Sequence, residues 1–343
     1  MIDFRYHLVS IVAVFLALSL GLLLGSTALS PFVQRGLQGL SKAEQRQINA
    51  LLGDKHRLQG QINSENQFAL ANAPAMLHDV LAGQRVALVL APGAPGSVTS
   101  GIEQALRTAG AKVTGSVQLD PAFFDTSAAT SKKLSQVAAR YAQPVGMALA
   151  GTPQAQASEL LAHVIMTKGT AGEPVPGKRD PLSVQAVQGL ADAGYLAKSG
   201  QPWDRATLAV LVIPATPPST DDTNAESQAL VTLAQQLNLA GQGTVVAGTI
   251  SGSGPGSAID VMRAGGRAGH LSSVDNADYP IGQIVVAQAL TDRQYGRSGN
   301  YGVTATASAA GPSPAPSPAP TTSPATQGTA RNRVGRPAGT ATR

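Results

Sequence analysis

The chain contains no cysteine, and only 4% of its 343 residues are aromatic and 13% charged. Without cysteine there are no disulfides, no thiolate metal sites and no cysteine nucleophile of the amidotransferase kind. With so few aromatics, any core must be filled by Ala, Val and Leu. The net charge is +5. Four arginines, Arg331, Arg333, Arg336 and Arg343, lie in a C-terminal stretch without acids, which leaves +1 for residues 1–303. Basicity is therefore mostly a property of the tail, and a nucleic-acid partner, which would need clustered Lys and Arg on a folded surface, is not expected. The sequence has no HExxH motif, no Ser-His-Asp arrangement and no nucleophile elbow. Neither an enzyme nor a bound cofactor is expected. The five histidines are scattered at 7, 56, 78, 163 and 270. Only Met76/His78 and His163/Met166 resemble soft-metal pairs, the second at i, i+3 on an expected helix, and two ligands do not make a tight copper(I) site.

Against these absences stands one long apolar run. Leu8 to Leu29 holds 22 residues without a charge. As a helix it is about 33 Å long, enough to cross a hydrocarbon core of about 30 Å. Ser26-Thr27-Ala28 offers a cleavage site for a signal peptide, but the basic n-region is poor and the apolar core exceeds the usual ~7–15 residues. Residues 1–30 are read as an uncleaved transmembrane anchor or signal-anchor. Arg5 on one side is outnumbered by Arg35, Lys42 and Arg46 on the other, which counted alone keeps the C-terminal body inside. The Pro/Ser/Thr tail argues for a body outside the cytoplasm, and an inner-membrane anchor with the body outside is the favoured reading. Ala13, Ala17, Gly21 and Gly25 recur every four residues, placing small side chains on one helix face in a GxxxG pattern. This face is the candidate for helix pairing and a homo-oligomer.

Residues 31–74 read as a helical stalk. A heptad seam runs from Leu37 through Ile48, Leu51, Leu58 and Ile62 to Asn72. It fits a weak coiled coil, a helix lying on another surface, or a solvated connecting helix. Pairing in the stalk would reinforce pairing in the membrane, and Pro74 is expected to end the segment. From 75 to 303 strand-like apolar runs alternate with helical patterns. Strands are expected at 85–91, 111–119, 207–213, 244–250 and 270–274, with helices between them, the first capped by Ser97. This order predicts an extracytoplasmic α/β domain with a mainly parallel sheet. Residues 304–343 are Pro, Ala, Ser, Thr and Gly with four Arg, and read as a disordered low-complexity tail.

The chemical candidates are few. Gly252-Ser-Gly254-Pro-Gly256 lies between a strand and a helix, where glycines cradle phosphate, but Pro255 removes a donor and the spacing is not GxGxxG. Asp275, Asn276 and Asp278 follow a strand end and are candidates either for ligand binding or for capping the helix that starts near Pro280. Asp221-Asp222 reads as a solvated turn.

The N-terminus, Met1-Ile-Asp-Phe-Arg-Tyr-His-Leu-Val-Ser-Ile-Val-Ala-Val-Phe-Leu-Ala-Leu-Ser-Leu-Gly-Leu-Leu-Leu-Gly25, closely resembles that of the mycobacterial copper-transport protein B family. Ser273-Val-Asp-Asn-Ala-Asp-Tyr-Pro-Ile-Gly-Gln283 and Tyr301-Gly302 resemble that family's C-terminal end. The likeness spans about 1–303. It implies a cell-envelope protein of copper efflux and resistance, with copper as the transported ion and the outer membrane as its place. A membrane barrel would need many alternating strands of about 10 residues with aromatic girdles, whereas this sequence offers one apolar helix and uniformly apolar strands.

Overall fold

The computed structural model describes residues 4–197, 204–214, 221–265 and 270–313; within 4–5, 25–43 and 221–223 only the backbone path is described. A single helix, α1 (Phe4–Leu77), carries both the apolar run and the stalk. Its segment Tyr6–Leu24 has a mean hydropathy of 2.5, and none of it is buried. The helix continues three residues beyond Pro74, where the sequence alone predicts its end. Proline removes one N–H from the ladder. The last turn is held regardless, because Leu77 is fully buried and Ala69 nearly so against the domain that follows.

That domain is built on a six-stranded, fully parallel sheet in the order β2-β1-β3-β4-β5-β6. The strands are β1 (Arg85–Leu90), β2 (Lys112–Gln118), β3 (Leu208–Val212), β4 (Gly243–Ala247), β5 (Ser272–Val274) and β6 (Asn300–Tyr301). The central strands β3 and β4 are buried along their whole length. Helices on both faces leave no polar side to the sheet, which is why these strands are uniformly apolar in sequence. On one face α3 (Ala128–Ala142), α4 (Pro153–Ile165), α5 (Pro181–Asp192), α6 (Asp221–Ala240) and α7 (Ala258–Ala264) pack on Ala87, Val89, Ala209, Leu211 and Val246. On the other, α2 (Gly96–Thr108), α8 (Pro280–Gln294) and the end of α1 pack on Val86, Leu88, Val210, Val245 and Val274.

The sheet is doubly wound, with its switch point between β1 and β3. Connections β1–α2–β2 and β3–α6–β4 step in opposite directions along the sheet on opposite faces, so they share one hand. The connection β5–α8–β6 steps as β3–α6–β4 does, yet α8 lies on the face of α2. It therefore has the reverse hand, a rare arrangement for parallel neighbours.

Several local expectations shift. Ser97 is not the cap of α2: the helix begins at Gly96 behind Pro95, with no side-chain cap bond. Asp221 and Asp222 do not form a turn but open α6. Residues 304–311 do not belong to a featureless tail. Tyr301 and Ala309 form a parallel bridge, and Ser308 and Ala309 both donate backbone N–H groups to the Asn300 carbonyl. Residues 314–343 lie outside the described residues.

The heptad seam has a role the sequence leaves open. Ala69, Ala73 and Leu77 pack into the core shared with α2 and α8, and Ile62 and Asn66 above them are half-buried. Upstream, Ile48, Leu51 and Leu58 on the same face are exposed. Of the lower seam, Ala69 is thus covered by the chain's own domain, while Glu65 stays exposed.

Candidate functional site

In parallel α/β folds the place to look is the carboxyl edge of the sheet, above all at the switch point. Here the loop after β1 reads Ala91-Pro-Gly-Ala-Pro95, and that after β3 begins Ile213-Pro214. Among the described residues neither brings a titratable side chain to the crevice. The polar groups of this edge gather instead after β4 and β5.

Asp275 ends β5 and is completely buried. Its Oδ2 accepts from Arg263 Nη1 at 2.8 Å, forming an ion pair in which the arginine side chain is only 3% exposed. Oδ1 accepts from the Val303 amide at 2.7 Å, and Oδ2 also from the Thr304 amide at 3.3 Å and its hydroxyl at 2.5 Å. Burial pushes the carboxyl's pKa up, but bonds from Thr304, Arg263 and Val303 outweigh it and hold the group below the usual carboxylate range. Arg263 is equally engaged. Its guanidinium donates to Ser273 Oγ, Thr304 Oγ1, Thr306 Oγ1 and the Tyr301 carbonyl. Four donors meet the carboxylate, three at Oδ2 and one at Oδ1, and its complete burial turns it to the protein's own donors and away from solvent. Gly302, at φ +131°, is required beside it, because a Cβ there would lie 1.9 Å from Asp275 Oδ1. The cluster ties α7, β5, β6 and the chain beyond into one unit. It is the clamp that holds the reverse-handed connection.

The two neighbouring candidates differ. Asp278 is exposed, and its Oδ1 accepts from the Ile250 amide at 3.3 Å, joining the loops after β4 and β5. Asn276 is buried, and its Oδ1 has no hydrogen-bond partner among the described residues. None of the three caps α8, which starts behind Tyr279 with no side-chain cap bond. In the glycine loop four of the amides are already spent. Gly252 N–H donates to Thr249, Ser253 to Ile250, Ser257 to Gly254, and Gly256 to Asp260 Oδ2.

The soft-metal pairs separate. Helix α4 ends at Ile165, and Met166 follows it in extended conformation, so His163 and Met166 do not share a helix face. Met166 is buried. The His163 ring is half-buried, and burial, then the Arg205 charge, push its pKa down. Its backbone carbonyl is taken by Arg205, which also donates to the Met166 carbonyl, Ser183 Oγ and Asp180 Oδ2. His78 and Met76 are exposed, with His78 paired to Asp79 at 3.4 Å. Among the described residues no three His, Asp or Glu side chains converge as a metal site. Sequence reasoning missed both Arg263 and Arg205. The usable signal was Asp275 itself, since a carboxylate at the end of a buried strand needs a cation.

On the anchor, Ala13, Ala17 and Gly21 are exposed on α1, and nothing lies within 4 Å of the Cβ position at Gly21. Gly25 falls in the stretch described by backbone alone.

Comparison with known proteins gives a consistent result. Residues 1–312 match the family described as copper transport outer membrane protein, MctB. The chain belongs to this family. It is 29% identical over 309 residues to the copper transporter MctB of Mycobacterium tuberculosis (strain H37Rv), covering 88% of this chain and 96% of that protein. To the copper transporter MctB of Mycobacterium leprae (strain TN) it is 31% identical over 314 residues, with the same coverage of each chain. The family description indicates a copper transport protein of the cell envelope, and these relatives are named as transporters, not enzymes. The match ends close to Gly311, which packs against Val285 of α8. The matched region thus covers the residues of the clamp and the segment that closes β6.

Proposed function

We propose that this protein acts in copper efflux and copper resistance as a single-span envelope protein, working as a homo-oligomer or with partners. Family membership carries the copper role; the exposed apolar segment Tyr6–Leu24 carries the membrane anchor. The proposed organisation is an anchor at 1–30, a stalk at 31–74, an extracytoplasmic domain at 75–303 and a low-complexity tail. One apolar helix without a polar stripe cannot line a water-filled pore, and the sheet among the described residues is open and covered by helices on both faces. A transport path therefore needs several copies or another protein. Self-association is assigned to Ala13, Ala17, Gly21 and Gly25. A parallel dimer along the seam would collide with the domains that cover it at Ala69. Deleting the gene should raise cell-associated copper under copper stress, and the intact gene should reverse it; unchanged copper would refute the role.

A second reading is a non-enzymatic scaffold that presents the α/β domain outside the cytoplasm. The favouring observation is that Asp275, the most buried carboxylate at the ligand edge, is fully committed to Arg263 and Thr304. Normal copper in the deletion strain, with a stable partner lost, would support it. Protease accessibility of residues 84–303 in intact cells and in spheroplasts decides the membrane. Cleavage in spheroplasts alone fits the inner-membrane anchor with the body outside, whereas cleavage in intact cells fits the outer membrane.

A further inference from the structure

The direction in which α1 leaves the domain fixes what the domain shows to the membrane. The turn after α1 is bonded to the last turns of α2 and α8. The Leu81 amide donates to the Ala109 carbonyl, Thr291 Oγ1 to the Val80 carbonyl, and Gln84 Nε2 to Gln294 Oε1. Four turns earlier Ile62 is still partly buried, and Ala69 and Ala73 between them pack into the same core as α8. A helix pinned at its end to the ends of two others, and packed into the same core from Ala69 to Leu77, runs alongside them in the same direction. Both α2 and α8 start at the carboxyl edge of the sheet, as every helix of a βαβ unit does. Traced back toward its N-terminus, α1 therefore passes the carboxyl edge near Ile62 and continues beyond it without a break.

We propose that α1 is a rigid spacer that turns the carboxyl edge of the sheet toward the membrane and holds it at a fixed distance. From Leu29 to Ile62 the helix rises about 50 Å at about 1.5 Å per residue. The surface nearest the membrane is then the carboxyl-edge loops, those after β1, β4 and β5 among them, with Ile250, Asp278 and, at the start of α8, Ile281 exposed on it. The amino edge, with the exposed Tyr295 at the end of α8, points away. A protein embedded in the same membrane meets the edge where parallel α/β domains take their ligands, not the opposite one. Because α1 is one element from the anchor to the domain core, a tilt of the anchor moves this edge with it. The inference rests on the membrane-anchor reading above.

The absence of cysteine makes the test clean. In the full chain in lipid nanodiscs, Asp278→Cys and Tyr295→Cys are labelled one at a time, and energy transfer to acceptor lipids is measured. The Asp278 position should lie about 20 Å closer to the bilayer, the length of α8 at about 1.5 Å per residue. Spin labels at Leu51→Cys and Asp278→Cys together should give one narrow distance distribution. Carbonate extraction of the same labelled chains separates the two failures. Loss from the membrane overturns the anchor reading and this inference with it. Retention with equal or reversed bilayer distances, or with a broad distribution, overturns this inference alone.

Discussion

Replacing Asp275 with asparagine should loosen the whole β5–β6 end of the sheet. The carboxylate is fully buried and its partner Arg263 is 3% exposed, so the substitution leaves a guanidinium desolvated beside neutral acceptors only. Removing one member of a buried pair costs about 3–5 kcal/mol. Asparagine keeps the shape, but its amide nitrogen would face the donating groups of Arg263, Val303 and Thr304. Urea unfolding of the detergent-solubilised full chain, read by hydrogen exchange of residues 299–309, is the assay. A loss of 3 kcal/mol corresponds to exchange faster by roughly a hundredfold. Replacing both partners, with Asp275→Leu and Arg263→Met, should cost less than the two single changes added, because the orphan charge disappears with its partner. The pH dependence has a definite sign. The folded pKa of Asp275 is depressed, so its contribution is present above the unfolded value of about 3.9 and is lost as pH falls through the folded value. Asp275→Asn should flatten stability against pH in that acid window. A change below about 1 kcal/mol, or a double variant as unstable as the sum, would refute the clamp.

Other substitutions probe the same structure elsewhere. Gly302→Ala places a methyl group against Asp275 at a positive φ, and should destabilise by about 2–3 kcal/mol in the same exchange assay. Leu77→Ala, at the fully buried foot of α1, should cost about 2–5 kcal/mol and raise exchange in α8. Gly53→Ala and Gly60→Ala should act oppositely: both positions are in the helix interior with open space around them, so each should strengthen the local helix by about 0.8–1 kcal/mol, seen as slower exchange across 48–66. Gly21→Ile with Gly25→Ile should abolish the signal of a membrane two-hybrid assay if the small-residue face pairs two copies.

Most elements were legible because their signals are local. Apolar runs such as Val86-Ala-Leu-Val-Leu90 suit a sheet covered on both faces, and the charge-free Leu8–Leu29 run is long enough for a membrane-length helix. The absence of cysteine and of catalytic motifs was equally plain. What the sequence left open involves residues far apart in the chain. The heptad seam could serve a partner or the chain itself, and only the packing of Ala69, Ala73 and Leu77 into the core shared with α2 and α8 shows that the domain covers the seam at Ala69. Asp275 looked like a ligand or a cap, since nothing local says that Arg263, on the preceding helix, and Thr304, beyond α8, converge on it. The hand of β5–α8–β6 is likewise a matter of which face a helix chooses. Local pattern determines what each segment is. Which buried charge meets which, and which way α1 points the domain, follow from long-range packing, where the cost of an unpaired charge or an open core is settled only by the whole fold.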